Sequence, residues 1–528
     1  MIPSRIALAA ALCALSVGLQ APASAQGAAP AAAAPAVAAP AAPRAAPRDE
    51  FYWLGQMNKA TAVINTDEGL LDKSMTPLVV NGINKVLDDG AKPGGKRPVS
   101  VITFEPLLID AAGPQITLLH AGRSSQDMLA TQRSAILRDD MLRLADQLNK
   151  TTGALVKLAE RHKDTVVPNY TNGVAAQPNS YGHYLLGFVA ALDRDAQRVR
   201  EAYVRIDRSS MGTTVLNGTS WPLNRQRMAD YLGFSALVDN AYDASQMSSV
   251  DEPVEAGAIV SAIALHAGTF VEDVMAQYSQ ARPWILLTEG GDNTYVSSAM
   301  PQKRNPGLLN STRRDASTAL TLGMGAALQA HNIPPGMSDP KEVKANTAMV
   351  NSATHVLNNW NKIIVGMVLD PKRALEELNS DWTASQELAD LLMRKYKLPF
   401  RVGHHFASEL VEYAKAKDIK PLDFPYRDAQ RIYADVVKHT EGGQGLPATL
   451  PMTQAEFRAS LDPVAIVKAR ATSGGPQPAE MERMLREANE RVAKQDAWVK
   501  ARRDHIASSL AKLDADFVKL GQSAGINR

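Results

Sequence analysis

Apolar residues recur at helical spacing through most of this 528-residue chain, and this feature restricts the fold more than any other. Between Tyr184 and Ile206 apolar side chains fall mostly three or four residues apart, with charged residues between them. Residues 255–280 are apolar on nearly all sides, as in a helix inside a bundle. Residues 316–330 are rich in small side chains, which permit close helix packing. These patterns predict an all-α fold with a central bundle of long helices.

Alternating patterns typical of strands are scarce, and the strongest of a weak set is residues 99–104. Stretches rich in Gly, Pro or Asn break the helical pattern at 91–97, 167–178, 332–340 and 441–451. We predict three folded units, which are an N-terminal domain over 49–120, a central helical bundle over 121–390 and a C-terminal helical domain over 391–528.

The first 48 residues carry the pattern of an exported protein. Arg5 precedes an apolar run over 6–19 and the small-x-small sequence Ala23-Ser24-Ala25, which predicts a signal peptide over 1–25. That run is shorter than the about 20 residues needed to cross a bilayer. Residues 26–48 are almost entirely Ala and Pro, as in a disordered linker. We therefore expect a periplasmic or secreted protein.

Charge and composition exclude several classes of partner. The chain has 57 basic and 55 acidic residues in alternation, so we expect neither nucleic acid nor a membrane surface as a partner. We find no apolar run of about 18 residues after the signal, and expect no membrane span. The single cysteine, Cys13, would leave with the signal, so the mature chain has no thiol chemistry.

Metal and cofactor patterns are also missing from the sequence. His404 and His405 are adjacent, so on a helix they point about 100° apart and cannot share a metal. Asp139 and Asp140 read as a solvated pair. We expect neither a metal nor a cofactor.

Four polar segments interrupt the helices. The first is residues 120–127, where Ser124 or Ser125 can cap a helix and Asp127 falls in its first turn. A helix N-terminus beside Arg123 is equally suited to bind a carboxylate. The second segment, 168–178, reads alone as a loop, and the third, 239–245, as a helix cap.

The fourth segment concentrates the chemistry. Residues 297–307 hold two adjacent hydroxyls, Ser297 and Ser298, followed by Lys303 and Asn305, between helical stretches. The preceding residues, 289–294, are rich in turn formers. A cationic polar loop between long helices is typical of a lid over an anionic ligand.

The four segments together resemble the fumarase/aspartase superfamily, and are closest to its argininosuccinate lyase branch. The fourth resembles the signature Gly-Ser-Ser-x-Met-Pro-x-Lys-x-Asn. The others resemble His-Thr-Gly-Arg-Ser-Arg-Asn-Asp, Gly-Tyr-Thr-His-x-Gln-x-Ala-Gln-Pro and Asn-x-x-Asp-Ala-Thr/Ser, in the family's order. Similar C-terminal motifs lie at 399–404, 461–463 and 474–476, so the resemblance covers about residues 106–491.

The resemblance implies a three-part, fumarase/aspartase-like fold and a homotetramer whose active sites combine segments from three chains. It implies a carbon–nitrogen lyase that eliminates an amine or amidine from a small anionic N-succinyl substrate and releases fumarate. Ser297 would be the catalytic base, assisted by Lys303 and Thr171. The substrate-binding residues carried over are Arg123, Ser124, Asn172, Gln177, Ser298, Asn305 and Lys341.

Several positions depart from the family pattern. Val296 replaces a Gly, Asn172 replaces a His, and Ser125-Gln126 replaces an Arg-Asn pair. The stretch 333–341 lacks the family's Tyr. Because the presumed base is kept while substrate-selecting positions change, we expect a lyase with an altered leaving group.

Two other functions are compatible with the resemblance. One is a non-catalytic scaffold or binding protein, as lens crystallins of the family are, but Ser297, Lys303 and Asn305 are all retained. The other is a carboxymuconate-type cycloisomerase, which the Met-Pro-Gln-Lys sequence and the C-terminal motifs disfavour.

Overall fold

A computed structural model describes residues 48–526 of the chain. The predicted signal peptide and residues 26–47 of the predicted linker lie outside the described residues. Within them the chain forms α-helices α1 Glu50–Asp67, α2 Thr76–Ala91, α3 Val101–Ala112, α4 Ser125–Arg161, α5 Tyr181–Ile206, α6 Arg225–Leu232, α7 Ala241–Gln246, α8 Ser248–Tyr278, α9 Gly307–Ala330, α10 Val343–Gly366, α11 Pro371–Ser380, α12 Ser385–Tyr396, α13 Phe400–Ala416, α14 Tyr426–His439, α15 Gln454–Ala459, α16 Pro463–Ala469 and α17 Pro478–Ser523. The predicted all-α class is confirmed.

Helices α4, α5, α8, α9 and α10 form the central bundle, and their apolar faces meet in one large core. By length and composition, α8 could cross a membrane, although no such stretch was expected after residue 25. Its apolar side chains instead belong to that core, among them Val260, Ile263 and Phe270, each less than 1% exposed. The helix is apolar on many sides because neighbouring helices cover it.

A second core lies among α1, α2, α3, α6 and the last part of α17. The strand pattern at residues 99–104 was wrong, because Val101 begins α3. Val101, Phe104 and Leu108 are buried, and their separation of three and four residues is helical spacing. The apolar residues at 99 and 102 are exposed instead.

A third core extends from Trp382 to Leu461 and involves α12, α13, α14 and α15. The 46-residue helix α17 follows the third core in the chain but packs into the other two. Leu485 belongs to the bundle core and Ile506 to the core around α1. The domain limits at 120 and 390 stay predictions.

The short strands of the described region pair in twos and place two polar segments. These strands are β1 Val166–Thr171, β2 Val174–Ser180, β3 Arg208–Ser209, β4 Ala236–Leu237, β5 Ile285–Leu287, β6 Tyr295–Val296, β7 Arg304–Asn305 and β8 Met367–Leu369. The pairs β1–β2, β5–β8 and β6–β7 are antiparallel and β3–β4 is parallel. Thus a hairpin lies where residues 168–178 alone read as a loop, and β6–β7 encloses residues 297–303.

Candidate active site

A two-stranded ladder carries the loop from Ser297 to Lys303. Tyr295 pairs with Asn305 and Val296 with Arg304. The Asn305 side-chain amide donates to the Tyr295 carbonyl at 3.4 Å, and helix α9 begins two residues later at Gly307. The backbone therefore returns on itself, and this places the hydroxyls of Ser297 and Ser298 on the same short loop as Lys303.

Ser297 is half-buried, and its Oγ accepts from the backbone N–H groups of Ala299 at 3.4 Å and Met300 at 3.2 Å. Such donors stabilise an oxyanion more than a neutral hydroxyl. Ser298 beside it is exposed. The local fold thus favours the deprotonated form of Ser297, which a serine base requires.

Lys303 is exposed, and among the described residues its ammonium forms neither an ion pair nor a hydrogen bond. Its neighbour Arg304 is engaged, since Nε donates to Glu289 at 2.8 Å and Nη1 donates to the Pro301 and Lys303 carbonyls at 2.8 and 3.2 Å. One cation fastens the loop while the other is available to an anion. The sequence did not predict a role for Arg304, although a second cation beside Lys303 and the acidic Glu289 before the loop were visible there.

Ser124 is the N-cap of α4 and forms a capping box with Asp127. Arg123 is 8% exposed, and its Nη1 donates to the side chains of Asn58 at 3.1 Å and Thr61 at 3.2 Å in α1. Its Nε has no acceptor within the described residues, and burial lowers the pKa of the guanidinium to about 10. Arg123 is thus held between α1 and α4, and its Nε–H can still donate to a ligand.

The Asp127 carboxylate joins the start of α4 to a distant loop. It accepts from the backbone N–H groups of Ser124 and Met128 at 2.9 and 3.0 Å, and of Gly212 and Thr214 at 2.8 and 3.2 Å. It is fully buried, and burial raises the pKa of this carboxyl to about 6 against the opposing effect of those donors. The sequence identified Asp127 only as a first-turn acid.

Lys341 lies in a buried network with the third polar segment. It is 3% exposed, and its Nζ donates to the Ser245 carbonyl at 3.1 Å. Ser245 Oγ in turn donates to the Val215 carbonyl at 2.8 Å, one residue beyond the contact of Thr214 with Asp127. Burial, and then the charge of Arg133, lower the pKa of Lys341.

The β1–β2 hairpin presents Thr171, Asn172 and Gln177, all exposed. Asn172 and Gly173 form its turn with φ of 53° and 76°, the left-handed conformation that a two-residue type I′ turn requires. Asn tolerates this conformation well. Gln177 donates from Nε2 to the Gln386 side chain at 2.5 Å, which ties the hairpin to the start of α12.

The candidate residues therefore form three groups within one chain. Arg123, Ser124 and Lys341 belong to the buried end of α4 and its network. The hairpin carries a second group, and the loop after Val296 carries the third. Across residues 48–526, no hydrogen bond or ion pair of these candidate side chains joins one group to another.

Comparison with known proteins agrees with these motifs. The Lyase family model matches residues 113–320, and the argininosuccinate lyase C-terminal model matches 382–468. Argininosuccinate lyase from Geobacillus sp. (strain WCH70) is 30% identical over 404 residues, covering 74% of this chain and 81% of that protein. Argininosuccinate lyase from Methanosarcina acetivorans is 27% identical over 469 residues, covering 87% and 90%.

Solved structures share the fold. EDDS lyase in complex with formate superposes with a TM-score of 0.80 at 24% identity, covering 90% of this chain and 92% of that one. The 3-carboxy-cis,cis-muconate lactonizing enzyme from Pseudomonas putida gives 0.59 at 19% identity, covering 84% and 95%. Sequence relatives and fold agree, and the chain belongs to the argininosuccinate lyase family of carbon–nitrogen lyases within the fumarase/aspartase superfamily.

Proposed function

We propose that this enzyme eliminates an amine from a small N-succinyl substrate and releases fumarate, with Ser297 as the base. The observation that carries this proposal is the pair of N–H groups, from Ala299 and Met300, directed at Ser297 Oγ. These donors favour the alkoxide, which is the form that removes a proton.

In this mechanism Ser297 removes a proton from the carbon next to a substrate carboxylate. The electrons move into that carboxylate, which becomes a dianionic intermediate, and they return as the carbon–nitrogen bond breaks. Lys303 and Asn305 bind the carboxylate on which this charge develops, because the Lys303 ammonium is uncommitted. The substrate nitrogen is protonated as a secondary ammonium, so it departs as a neutral amine, fumarate remains, and Ser297 passes its proton to solvent.

The other candidate residues orient the rest of the substrate. Thr171, Asn172 and Gln177 are exposed on the hairpin and bind directly, with Ser298 beside the base. Arg123 and Lys341 are buried, so they act by fixing the end of α4 and its neighbouring loop, where Ser124 faces the substrate.

We infer that the active enzyme is a homotetramer in which three chains complete each site. Two observations support this inference. In the part of the chain that the structure describes, no hydrogen bond or ion pair of the candidate side chains joins one of the three groups to another. In addition, helix α9 has no charged residue from Ala316 to Ala330, although Leu322, Met324 and Leu328 are 38–75% exposed. An apolar helix face of this kind favours packing against another copy.

We also propose that the enzyme acts outside the cytoplasm, since the signal-peptide pattern precedes the folded region. Arginine synthesis takes place in the cytoplasm, so export of this enzyme is consistent with a substrate other than argininosuccinate. N-terminal mass analysis of the periplasmic protein should give Gln26 as the first residue, and an intact Met1 would contradict export.

The substrate is sought by following fumarate absorbance with N-succinyl amino acids, amidines and EDDS. We expect at least one N-succinyl amine to be cleaved and argininosuccinate to be cleaved weakly or not at all. Fumarate release from none of them would favour the scaffold alternative. Conversion of a carboxymuconate to a lactone would favour the cycloisomerase.

Asn172→His tests the leaving-group assignment. Asn172 cannot titrate, and His is also tolerated at a positive φ. General acid assistance is worth about 10²–10⁴ in rate where everything else is in place. Because Ser125 and Gln126 still differ from the family, we expect less than about a tenfold gain in kcat/KM for argininosuccinate. Efficient cleavage of argininosuccinate by the wild-type enzyme would contradict the proposal that this enzyme has a different leaving group.

A further inference from the structure

A cavity of about 90 Å³ lies beneath the β1–β2 hairpin, between the hairpin and helices α5 and α8. A single water needs only about 10–15 Å³, so the cavity has room for several heavy atoms. None of its lining residues takes part in the proposed elimination. Aromatic rings form much of its wall, contributed by Tyr170, Tyr181, Tyr184 and Trp284.

The rings are held in fixed orientations by one another. Tyr181 stacks on Tyr184 with ring centroids 5.4 Å apart, and Trp284 meets Tyr181 edge-on at 5.8 Å. The Trp284 indole N–H donates to the Tyr170 hydroxyl at 3.1 Å. Ring faces carry negative electrostatic potential, so a wall of this kind attracts a cation.

Two polar side chains on α8 complete the cavity. Asp273 and Gln277 are four residues apart, so they lie on the same face of the helix. Asp273 accepts from the Tyr184 hydroxyl but has no ion pair among the described residues. Gln277 is 3% exposed, and its Oε1 is buried without a donor in the same part of the chain.

The wall of the cavity carries negative charge only. Among the described residues that line the cavity, Asp273 is the only one that carries a full charge, and none is Lys, Arg or His. A buried acceptor without a donor costs free energy unless a ligand or water supplies one. An ammonium group supplies both the missing positive charge and N–H donors.

We propose that this cavity binds a small organic ammonium ion, such as the head of a primary or methylated amine. The aromatic rings contact its apolar and cationic surface, Asp273 balances its charge, and Gln277 accepts from one of its N–H groups. Because Tyr170 directly precedes Thr171 in β1, an occupied cavity would also brace the exposed hairpin.

Isothermal titration calorimetry of the purified protein tests this site with methylammonium, dimethylammonium and sodium chlorides. We expect saturable binding of both ammonium ions and none of sodium. Asp273→Asn should weaken ammonium binding at least about tenfold, because it removes the only full charge at the site. The matched control is Glu272→Gln, which removes the same charge from the adjacent, exposed position and should change affinity less than about twofold.

Two further variants separate binding from folding. Tyr184→Phe keeps the ring but frees Asp273 from its hydroxyl, so ammonium binding should persist or tighten. Trp284→Leu removes an aromatic wall and should weaken binding, while circular dichroism verifies the helical content of each variant.

Binding of neither ammonium ion, equal binding of sodium, or unchanged affinity in Asp273→Asn would overturn the site. The titration needs no turnover, so its outcome is independent of whether the elimination proposal holds.

Discussion

The loop after Val296 and the start of helix α4 carry groups assigned to one reaction, yet they are stabilised in opposite ways. The loop is fastened at the surface by the ion pair of Arg304 and Glu289, whose side chains are 35% and 67% exposed. The start of α4 is fastened by Asp127, a fully buried carboxylate that accepts from backbone N–H groups on both sides of the contact.

This difference matches what each region must do. Exposed ion pairs contribute about 0–1 kcal/mol, so the loop can open and close over a ligand at little cost. Buried donors that lose an acceptor cost about 1–3 kcal/mol each, so the end of α4 keeps one geometry. In the proposed elimination, the rigid end of α4 would hold the substrate while the movable loop brings Ser297 to it.

The largest expected effect is on the loop's own chemistry. Ser297→Ala removes the hydroxyl that receives the N–H groups of Ala299 and Met300, and should lower kcat at least about 10³-fold. Fumarate release measures the loss, and size-exclusion chromatography should show an unchanged oligomer. The control is Ser298→Ala, in which the base is kept and much of the activity should survive. Near-normal turnover of Ser297→Ala would refute Ser297 as the base.

The buried end of α4 should respond in stability. Asp127→Ala leaves several buried N–H groups without an acceptor, and we expect a loss of about 3 kcal/mol. The matched control is Asp370→Ala, which removes an exposed N-cap of α11 and should cost only about 1 kcal/mol. Thermal unfolding compares them, and equal losses would show that burial adds nothing at Asp127.

A pH-dependent effect is expected beside the same helix. Glu252 in α8 is 6% exposed, and its carboxyl accepts from the Ser134 hydroxyl in α4. Burial raises its pKa from 4.5 to about 8. Between those values the folded protein retains a proton that the unfolded chain releases, so stability falls as the pH rises through this window.

Glu252→Gln should therefore flatten the fall in melting temperature between pH 4.5 and about 8. Glu272→Gln is the control, because Glu272 lies on the same helix, is exposed, and is not among the charged groups that act on Glu252. It should leave the pH profile of the wild type intact. An identical profile in Glu252→Gln would mean that Glu252 is already ionised in the folded protein.

The sequence predicted these two regions unequally. The loop was recognisable because its functional groups and its supporting strands lie within eleven consecutive residues. The contacts of the α4 end are distant, since Arg123 meets Asn58 and Thr61, which lie 65 and 62 residues away. Spacing along the chain carries no information on such partners, so the sequence predicted Arg123 as part of a carboxylate site and did not indicate that its side chain is buried.

Helix faces were mispredicted for the same reason. Asp139 and Asp140 read as a solvated pair, but Asp140 is 2% exposed and accepts from Thr347 in α10, and burial raises the pKa of both carboxyls. The 3.6-residue period correctly predicted α5 and α8 as helices. It identifies one apolar face, and does not show that other elements also cover the polar face of α4.

The smallest expected effect is on the surface fastening of the loop. Arg304→Gln removes the pairing with Glu289 and weakens the contacts to the Pro301 and Lys303 carbonyls, but leaves Ser297 in place. Because an exposed pair is worth about 1 kcal/mol at most, kcat should fall by less than about fivefold. Glu289→Gln should have a similar effect, and the double variant should be no worse than either single one.

Since salt screens exposed charges, high salt should reduce wild-type kcat towards that of Arg304→Gln while changing the variant little. The test is steady-state kinetics in low and high salt, with Lys362→Gln, which breaks the neighbouring exposed pair with Asp292, as control. A loss as large as that of Ser297→Ala would show that Arg304 belongs to the chemistry, and the contrast between a loosely fastened loop and a rigid helix end would then fail.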